Sequence, residues 1–215
     1  MIQLVGMLDS PYVRRVAVAL LIAEVPFDHR PISLFRHIPE FSELSPLLKA
    51  PSLVLDDGAA LVDSSVILEY LAALHPALDA LGIGKAESPL KAARATGVAL
   101  TVCEKAVQVH YERALRTPEQ RSDVWWSRIG GQLGVGLAAL EAELPEHGWI
   151  GGARIGLADI TAACAWGFTQ TVLADLVELA DPRRYPRISE FCARAEDLRA
   201  FRAAPPIDGV AAPVG

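Results

Sequence analysis

The chain has no CxxC pair, no two histidines three or four residues apart, and no run of lysine or arginine. Its three cysteines, Cys103, Cys164 and Cys192, are an odd number with no metal-like spacing. That pattern excludes a disulfide framework and points to a reducing, cytoplasmic compartment. The five histidines, His29, His37, His75, His110 and His147, are scattered, so no protein-held metal is expected. Basic side chains number 20 against 26 acidic, a formal charge of −6. With no basic cluster, neither nucleic acid nor an anionic membrane is an expected partner. The apolar octet Val16 to Ala23 is far short of the roughly 20 residues that span a bilayer. Arg14-Arg15 before that octet imitates a secretory signal, but Ile2 to Met7 carries no basic leader and no small-residue cleavage pattern follows Ala23.

The chain does contain enough apolar residues, 52% of 215, for one large domain or two small ones. The segment that organises it runs from Asp9 to Glu24. Ile2 to Met7 reads as a buried strand, and Ser10-Pro11 then opens a helix: serine suits the N-cap, and proline suits the first turn because it has no N–H to leave unpaired. Val13, Val16, Ala17, Leu20 and Leu21 recur at helical spacing, with Arg14, Arg15 and Glu24 expected toward solvent. A helix N-terminus at a strand end favours an anion, because backbone N–H groups and the positive end of the dipole converge there. A serine in this place is ordinarily only a cap. A hydroxyl that caps still has a hydrogen to donate, so capping and ligand binding are compatible at Ser10.

Phe27 to Ser33 can form a second strand with Pro31 at its end or edge. Leu34 to Lys49, broken by Pro39 and Pro46, reads as a loop with a short helix. Ser52 to Leu55 and Ala60 to Val62 are short strands joined by Asp56-Asp57-Gly58, a hairpin turn. Asp63-Ser64-Ser65 then caps a helix whose apolar face is expected to be Val66, Ile67, Tyr70, Leu71 and Leu74, ending at His75-Pro76. Residues 1–77 therefore form an α/β domain and 78–88 a linker. Residues 89–215 are expected to be entirely helical. Ser88-Pro89 opens a helix running to about Leu115. Thr117 to Gln120 is a capping box expected to open a helix reaching Leu144. Gly130-Gly131-Gln132-Leu133-Gly134-Val135-Gly136 lacks the lysine and preceding strand of a phosphate loop, so close helix packing or a bend explains it better. Ile160, Ala163, Cys164, Gly167, Phe168 and Thr171 share a helical face, with Asp159 at the helix start. Tyr185-Pro186 opens a last helix, and the alanine- and proline-rich tail from Ala203 wraps the surface or frays.

Four segments in order resemble the cytosolic glutathione transferases: Ser-Pro-Tyr-Val-Arg-Arg-Val from Ser10, Ala50-Pro51-Ser52-Leu53-Val54, Asp63-Ser64, and Leu157-Ala158-Asp159-Ile160. The Tyr185-Pro186 helix with Arg194 fits the same pattern. The resemblance implies a bacterial serine-type member, with a thioredoxin-like N-terminal domain followed by an all-helical C-terminal domain. It implies that Ser10 donates a hydrogen bond to the sulfur of glutathione, favouring the nucleophilic thiolate. It implies that Pro51 is cis and that the Ala50 backbone pairs with the cysteinyl part. Asp63 would take the ammonium and Ser64 the carboxylate of the γ-glutamyl end. His37 is a candidate for the glycine carboxylate. Two departures stand out: Leu48 where the family usually has glycine before the cis-proline, suggesting a differently shaped loop, and Gly156 where it has a serine or threonine cap.

The function implied is transfer of glutathione to a small apolar electrophile, detoxification in character, by a homodimer without metal. Tyr12, Cys103, His110, Tyr111 and Trp166 are acceptor-site candidates, for each of which core packing is an equal reading. A non-catalytic binding or scaffold protein of the same fold, and a glutathione-dependent isomerase or peroxidase, are the alternatives. Ser10, Asp63 and Ser64 together weigh against a scaffold, which needs none of them as a set.

Overall fold

The structure, a computed structural model, is described for residues 1–207, 209 and 211. Its chain divides into two compact units, one of residues 1–85 with 196–215 and one of residues 86–195.

In the first unit β1 (Gln3–Val5), α1 (Pro11–Ile22) and β2 (Asp28–Arg30) form a parallel β-α-β crossover. After α2 (Ile38–Leu44), β3 (Ser52–Val54) and β4 (Ala60–Val62) make an antiparallel hairpin, followed by α3 (Ser64–Leu74) and the short α4 (Pro76–Asp79). The strand order β2-β1-β3-β4 is the thioredoxin-like arrangement. Because strand side chains alternate between faces, Val5 and Val54 share one face and pack with Ile32 and with Phe41 of α2.

α1 differs from its expected half-exposed form. It is buried on every side, and Arg14 and Arg15 are only 1% and 2% exposed. Each guanidinium is held by polar partners. Arg14 makes a two-pronged ion pair with Glu196 (2.6 and 2.7 Å) and donates from Nε to the Ala204 carbonyl at 2.7 Å. Arg15 donates to the hydroxyls of Ser64 (2.9 Å) and Ser65 (3.0 Å). The Arg14 contacts explain why the chain from Glu196, read as part of the helical domain, packs with the first unit, where α10 (Arg199–Ala203) lies against α1. His29, also buried, bridges Gly6 and the end of the chain. Its Nδ1 accepts the Ala211 N–H at 2.9 Å and its Nε2 lies 2.8 Å from the Gly6 carbonyl, an arrangement for the neutral ring. Burial pushes the His29 pKa down, opposed by the Gly6 hydrogen bond and the charge of Asp28.

The exit of α1 is a Schellman turn: Val25 N–H bonds to the Leu20 carbonyl at 2.9 Å and Glu24 N–H to that of Leu21 at 3.3 Å. Glu24 sits there at φ 54°, a left-handed conformation that costs a residue with a Cβ about 1–2 kcal/mol. Its side chain is exposed. Glu24→Gly is therefore expected to stabilise the protein by about 1 kcal/mol after the extra unfolded-chain entropy of glycine is subtracted. Thermal denaturation should show a midpoint about 2–4 °C higher; an unchanged or lower midpoint would refute the strain.

α3 buries Ile67, Leu68 and Leu71, leaving Val66, Tyr70 and Leu74 of its expected apolar face exposed.

The second unit is built on α5 (Pro89–Ala114), α6 (Asp123–Glu143) and α7 (Leu157–Leu173), with α5 packed against both others, followed by α8 (Val177–Ala180) and α9 (Pro186–Glu196), whose last residue groups with the first unit. α5 faces inward with Ala92, Ala95, Ala99, Val102, Cys103 and Ala106, a 3–4 spacing of mostly small residues that lets helices approach. A methyl group at Gly136 would lie 3.1 Å from Val102, and one at Gly130 3.7 Å from Leu179, while Gly134 has open space. Close packing thus accounts for Gly136, whereas Gly130 has room for a Cβ at ordinary contact distance. The capping box at Thr117 opens only a single 3₁₀ turn, Pro118–Gln120, because Arg121 is extended. Ser122 caps α6 instead, accepting from Trp125 N–H at 3.3 Å. In α7 Thr171 is exposed, whereas Ala158 to Trp166 are buried throughout. Asp159 anchors the loop before this helix by accepting N–H bonds from Ile150 (2.6 Å) and Gly156 (2.8 Å). Burial pushes its carboxyl pKa up, and backbone donors from Gly156, Ile150 and Gly151 oppose that shift. Gly156 serves as N-cap without a side-chain bond.

Candidate active site

The strand register collects the predicted residues at one end of the sheet. Val5 pairs with Ser52 and Ser52 with Val62, so the three lie in one row across β1, β3 and β4. The residue next to each along its chain, beyond the row, is Gly6, Pro51 and Asp63. Four residues past Gly6 comes Ser10 at the start of α1, and one residue past Asp63 comes Ser64 at the start of α3.

Packing holds these segments together. Gly6 is at φ 134°, and a Cβ there would lie 2.6 Å from Val13 of α1 and 3.1 Å from the Cβ of Ala50. Only glycine lets the end of β1 pass between the first turn of α1 and the Ala50-Pro51 loop. The Ala50–Pro51 bond is cis. Leu48, two residues earlier, is at φ 48°. The loop thus adopts a glycine-like backbone conformation with a leucine, where a differently shaped loop was expected. Ser52 closes the turn by donating its hydroxyl to the Lys49 carbonyl at 2.7 Å.

Ser10 is the N-cap of α1. Its Oγ accepts the Val13 N–H at 3.4 Å, a long bond that leaves the hydroxyl hydrogen available to an anion or a sulfur. Asp63 is the N-cap of α3, in a left-handed conformation at φ 55° and ψ 142°, the kind of strain that clusters at functional sites. One of its carboxylate oxygens accepts Ser65 N–H at 2.9 Å, and the other lies 3.6 Å from Lys49 Nζ. Both charges are about half exposed, so this ion pair is screened and readily exchanged for a ligand ammonium. Ser64 is buried, its hydroxyl accepting from Arg15. His37, at the surface, takes the Ser33 N–H on Nδ1 at 3.2 Å, which leaves its Nε2 as the proton-bearing nitrogen.

Tyr12 is half-buried on α1. His110 and Tyr111 lie together on α5, ring centroids 5.9 Å apart, and His110 meets the edge of Phe168 at 6.2 Å. Cys103 and Trp166 are 0% and 4% exposed. They are core residues with almost no surface to offer an acceptor, Trp166 packing edge-on against Tyr185.

The sequence alone allows Arg15 to meet an anionic substrate but places it on a solvated helix face, and does not single out Lys49. The signal for Arg15 was present: a 12-residue helix with apolar residues on all sides has no solvent face, so its charges must find partners inside. Among the described residues no group of three His, Cys, Asp or Glu could hold a metal ion, and no helix is long and apolar enough to cross a membrane.

The profile of the glutathione S-transferase N-terminal domain matches residues 4–82 and that of the C-terminal domain residues 123–194. The maleylacetoacetate isomerase of Pseudomonas aeruginosa is 32% identical over 157 residues, 68% of this chain and 71% of that one. Glutathione S-transferase U6 of Arabidopsis thaliana is 27% identical over 202 residues, 92% of this chain and 85% of its own. Among solved structures, a glutathione S-transferase of Methylobacterium radiotolerans in complex with glutathione sulfonate superposes with a TM-score of 0.84 at 28% identity, covering 94% of this chain and 93% of that one. With both domain matches and a relative this similar, the chain belongs to the glutathione S-transferase family, enzymes that take glutathione as co-substrate.

Proposed function

We propose that this protein binds glutathione at the end of the sheet in the first unit, ionises its thiol beside Ser10, and transfers it to a small apolar electrophile. The observation that carries the reading is the convergence, on one row of the sheet, of the Ser10 hydroxyl, the Ala50–cis-Pro51 loop and the Asp63-Ser64 helix start. The backbone of Ala50, just before β3, is suited to pair with the cysteinyl part of glutathione. The carboxylate of the γ-glutamyl end meets Ser64 at the positive end of α3, and its ammonium meets Asp63. His37 is assigned to the glycine carboxylate. With Ser10 donating to sulfur, the thiol proton leaves to solvent, and the sulfur lone pair forms the new C–S bond as the bond from that carbon to its leaving group breaks, the group departing to solvent with the bonding pair.

A glutathione-dependent isomerase is the second reading. The similarity to the maleylacetoacetate isomerase of Pseudomonas aeruginosa favours it. Here the thiolate would add to the substrate and leave again, using the same Ser10 site. A scaffold without turnover is the least favoured reading, because Ser10, Asp63 and Ser64 are retained in one place. We further propose a homodimer in a reducing cytoplasm, where the three buried cysteine thiols stay reduced.

The test is a difference-absorbance titration with glutathione, reading bound thiolate in the ultraviolet, followed by turnover of an electrophile panel and of maleylacetoacetate. Saturable binding with a thiolate band supports the assignment. Turnover of the panel alone supports transfer, and turnover of maleylacetoacetate alone supports isomerisation. Absence of binding removes both and leaves the scaffold.

A further inference from the structure

α1 lies beside the start of α3, and one buried cation joins them. Arg15, 2% exposed, points Nη1 at two hydroxyls at once, Ser64 Oγ at 2.9 Å and Ser65 Oγ at 3.0 Å. These are the first two residues of the 11-residue α3. Ser65 N–H is engaged by Asp63.

A guanidinium can only donate, so both serine oxygens must accept from it. Each hydroxyl hydrogen is thereby turned away from Arg15. The two hydroxyls become donors directed by a common cation, each more acidic for the hydrogen bond it receives. A positive charge held out of water behind them is weakly screened and adds to the dipole of α3. The resulting group, two polarised hydroxyls at a helix start backed by a guanidinium, suits an acceptor-only ligand with full negative charge. A carboxylate has this character, whereas an amide or an ammonium does not.

We propose that Arg15 is a positioning residue that makes the Ser64-Ser65 helix start selective for the α-carboxylate of the γ-glutamyl group. This rests on the glutathione reading and extends it to a residue that touches no ligand itself. Arg15 acts through the two serines, by fixing which way their hydrogens point and by supplying charge.

The experiment measures binding of two ligands by calorimetry. One is glutathione. The other is 4-aminobutanoyl-cysteinyl-glycine, the same molecule with the γ-glutamyl α-carboxylate replaced by hydrogen. Wild-type protein is expected to prefer glutathione by about tenfold or more, the size of one charge-assisted hydrogen bond. Arg15→Gln should erase most of that preference, losing glutathione about tenfold while changing the analogue by less than about twofold. Arg15→Lys, which keeps the charge with a simpler donor, should recover part of the preference. Ser65→Ala removes one of the two hydroxyls at an exposed position, so it tests the same link without touching the core. It should cost glutathione about threefold and the analogue nothing, a fraction of one such bond. If Arg15→Gln or Ser65→Ala weakens both ligands equally, or neither, Arg15 is a tie between helices and the proposal fails while the glutathione reading stands. If wild-type protein binds neither ligand, that reading fails and the proposal falls with it.

Discussion

Ser10→Ala is expected to lower kcat/KM for thiol transfer about a hundredfold at pH 7, with glutathione affinity held within about twofold. The split follows from geometry. Anchoring of glutathione is assigned to the cis-proline loop and to the α3 start, which this substitution leaves in place, whereas the Ser10 hydroxyl is the donor assigned to sulfur. A hydrogen bond to a charged acceptor is worth about 1.5–3 kcal/mol, and each 1.36 kcal/mol moves a pKa by about one unit. Loss of the donor should thus return the bound thiol about one to two units toward the ordinary thiol value of about 8.5. The sign gives a second readout. Because the wild type holds the thiol pKa down, its rate should level off at lower pH, while the variant should keep rising to about pH 9 and recover most of the difference there. Ser10→Thr keeps a donor and should retain most activity. The cap bond is already long at 3.4 Å, so its loss should cost about 1 kcal/mol or less of stability, too little to unfold a helix buried along its length. A variant with wild-type kcat and an unmoved pH profile would remove Ser10 from the chemistry.

Much of the first unit was legible because short-range signals and long-range packing agree there. The strand before Ser10, the cap-proline start of α1, the Asp-Gly hairpin and the Asp63-Ser64 cap each follow from local chemistry, and each is found in the structure. The row Val5, Ser52, Val62 was not readable from spacing, since register is a property of pairing between distant segments. The resemblance supplied its consequence, the shared site, without its cause. The cis bond at Ala50–Pro51 likewise came from the resemblance, because nothing local distinguishes this proline from the others.

The misread places share a cause. A 3.6-residue period finds an apolar stripe but not how wide the covered surface is. Arg14 and Arg15 were placed in solvent because arginine is mostly exposed, yet α1 is enclosed on all sides. On α3 the reverse holds: Val66, Tyr70 and Leu74 carry the right period and stay exposed, because the contact lies along Ile67, Leu68 and Leu71. At Thr117 the capping box is present, with Gln120 Oε1 accepting the Thr117 N–H at 3.0 Å, but an extended Arg121 stops the helix after one turn. A cap favours a helix start and does not set how far the helix runs.

Arg14→Met is expected to destabilise the first unit by about 3 kcal/mol, a large effect for one side chain. The guanidinium of Arg14 meets both carboxylate oxygens of Glu196, the carbonyl of Ala204 at 2.7 Å and that of Phe201 at 3.4 Å, and lies 5.3 Å from the Phe201 ring centre. Methionine keeps part of the volume and none of the donors. The Ala204 carbonyl then loses its buried partner, at about 1–3 kcal/mol for an unsatisfied group, whereas the Phe201 carbonyl keeps the Ala204 N–H at 3.2 Å. Glu196 loses less, because its side chain is 39% exposed and water can reach it. Glu196→Gln alone takes the carboxylate counter-charge away from the buried guanidinium and should also cost about 3 kcal/mol, and the double variant should be less destabilised than the sum, revealing the coupling. The choice of probe matters. Trp125, Trp126, Trp149 and Trp166 all lie in the second unit, so tryptophan fluorescence does not report this unit directly. Hydrogen exchange of α1 and α10 amides is the direct measurement, with faster exchange expected in both helices and earlier proteolytic cleavage beyond Glu196. Unchanged exchange in Arg14→Met would mean that apolar packing alone holds the end of the chain against α1, and that the buried arginine adds nothing to it.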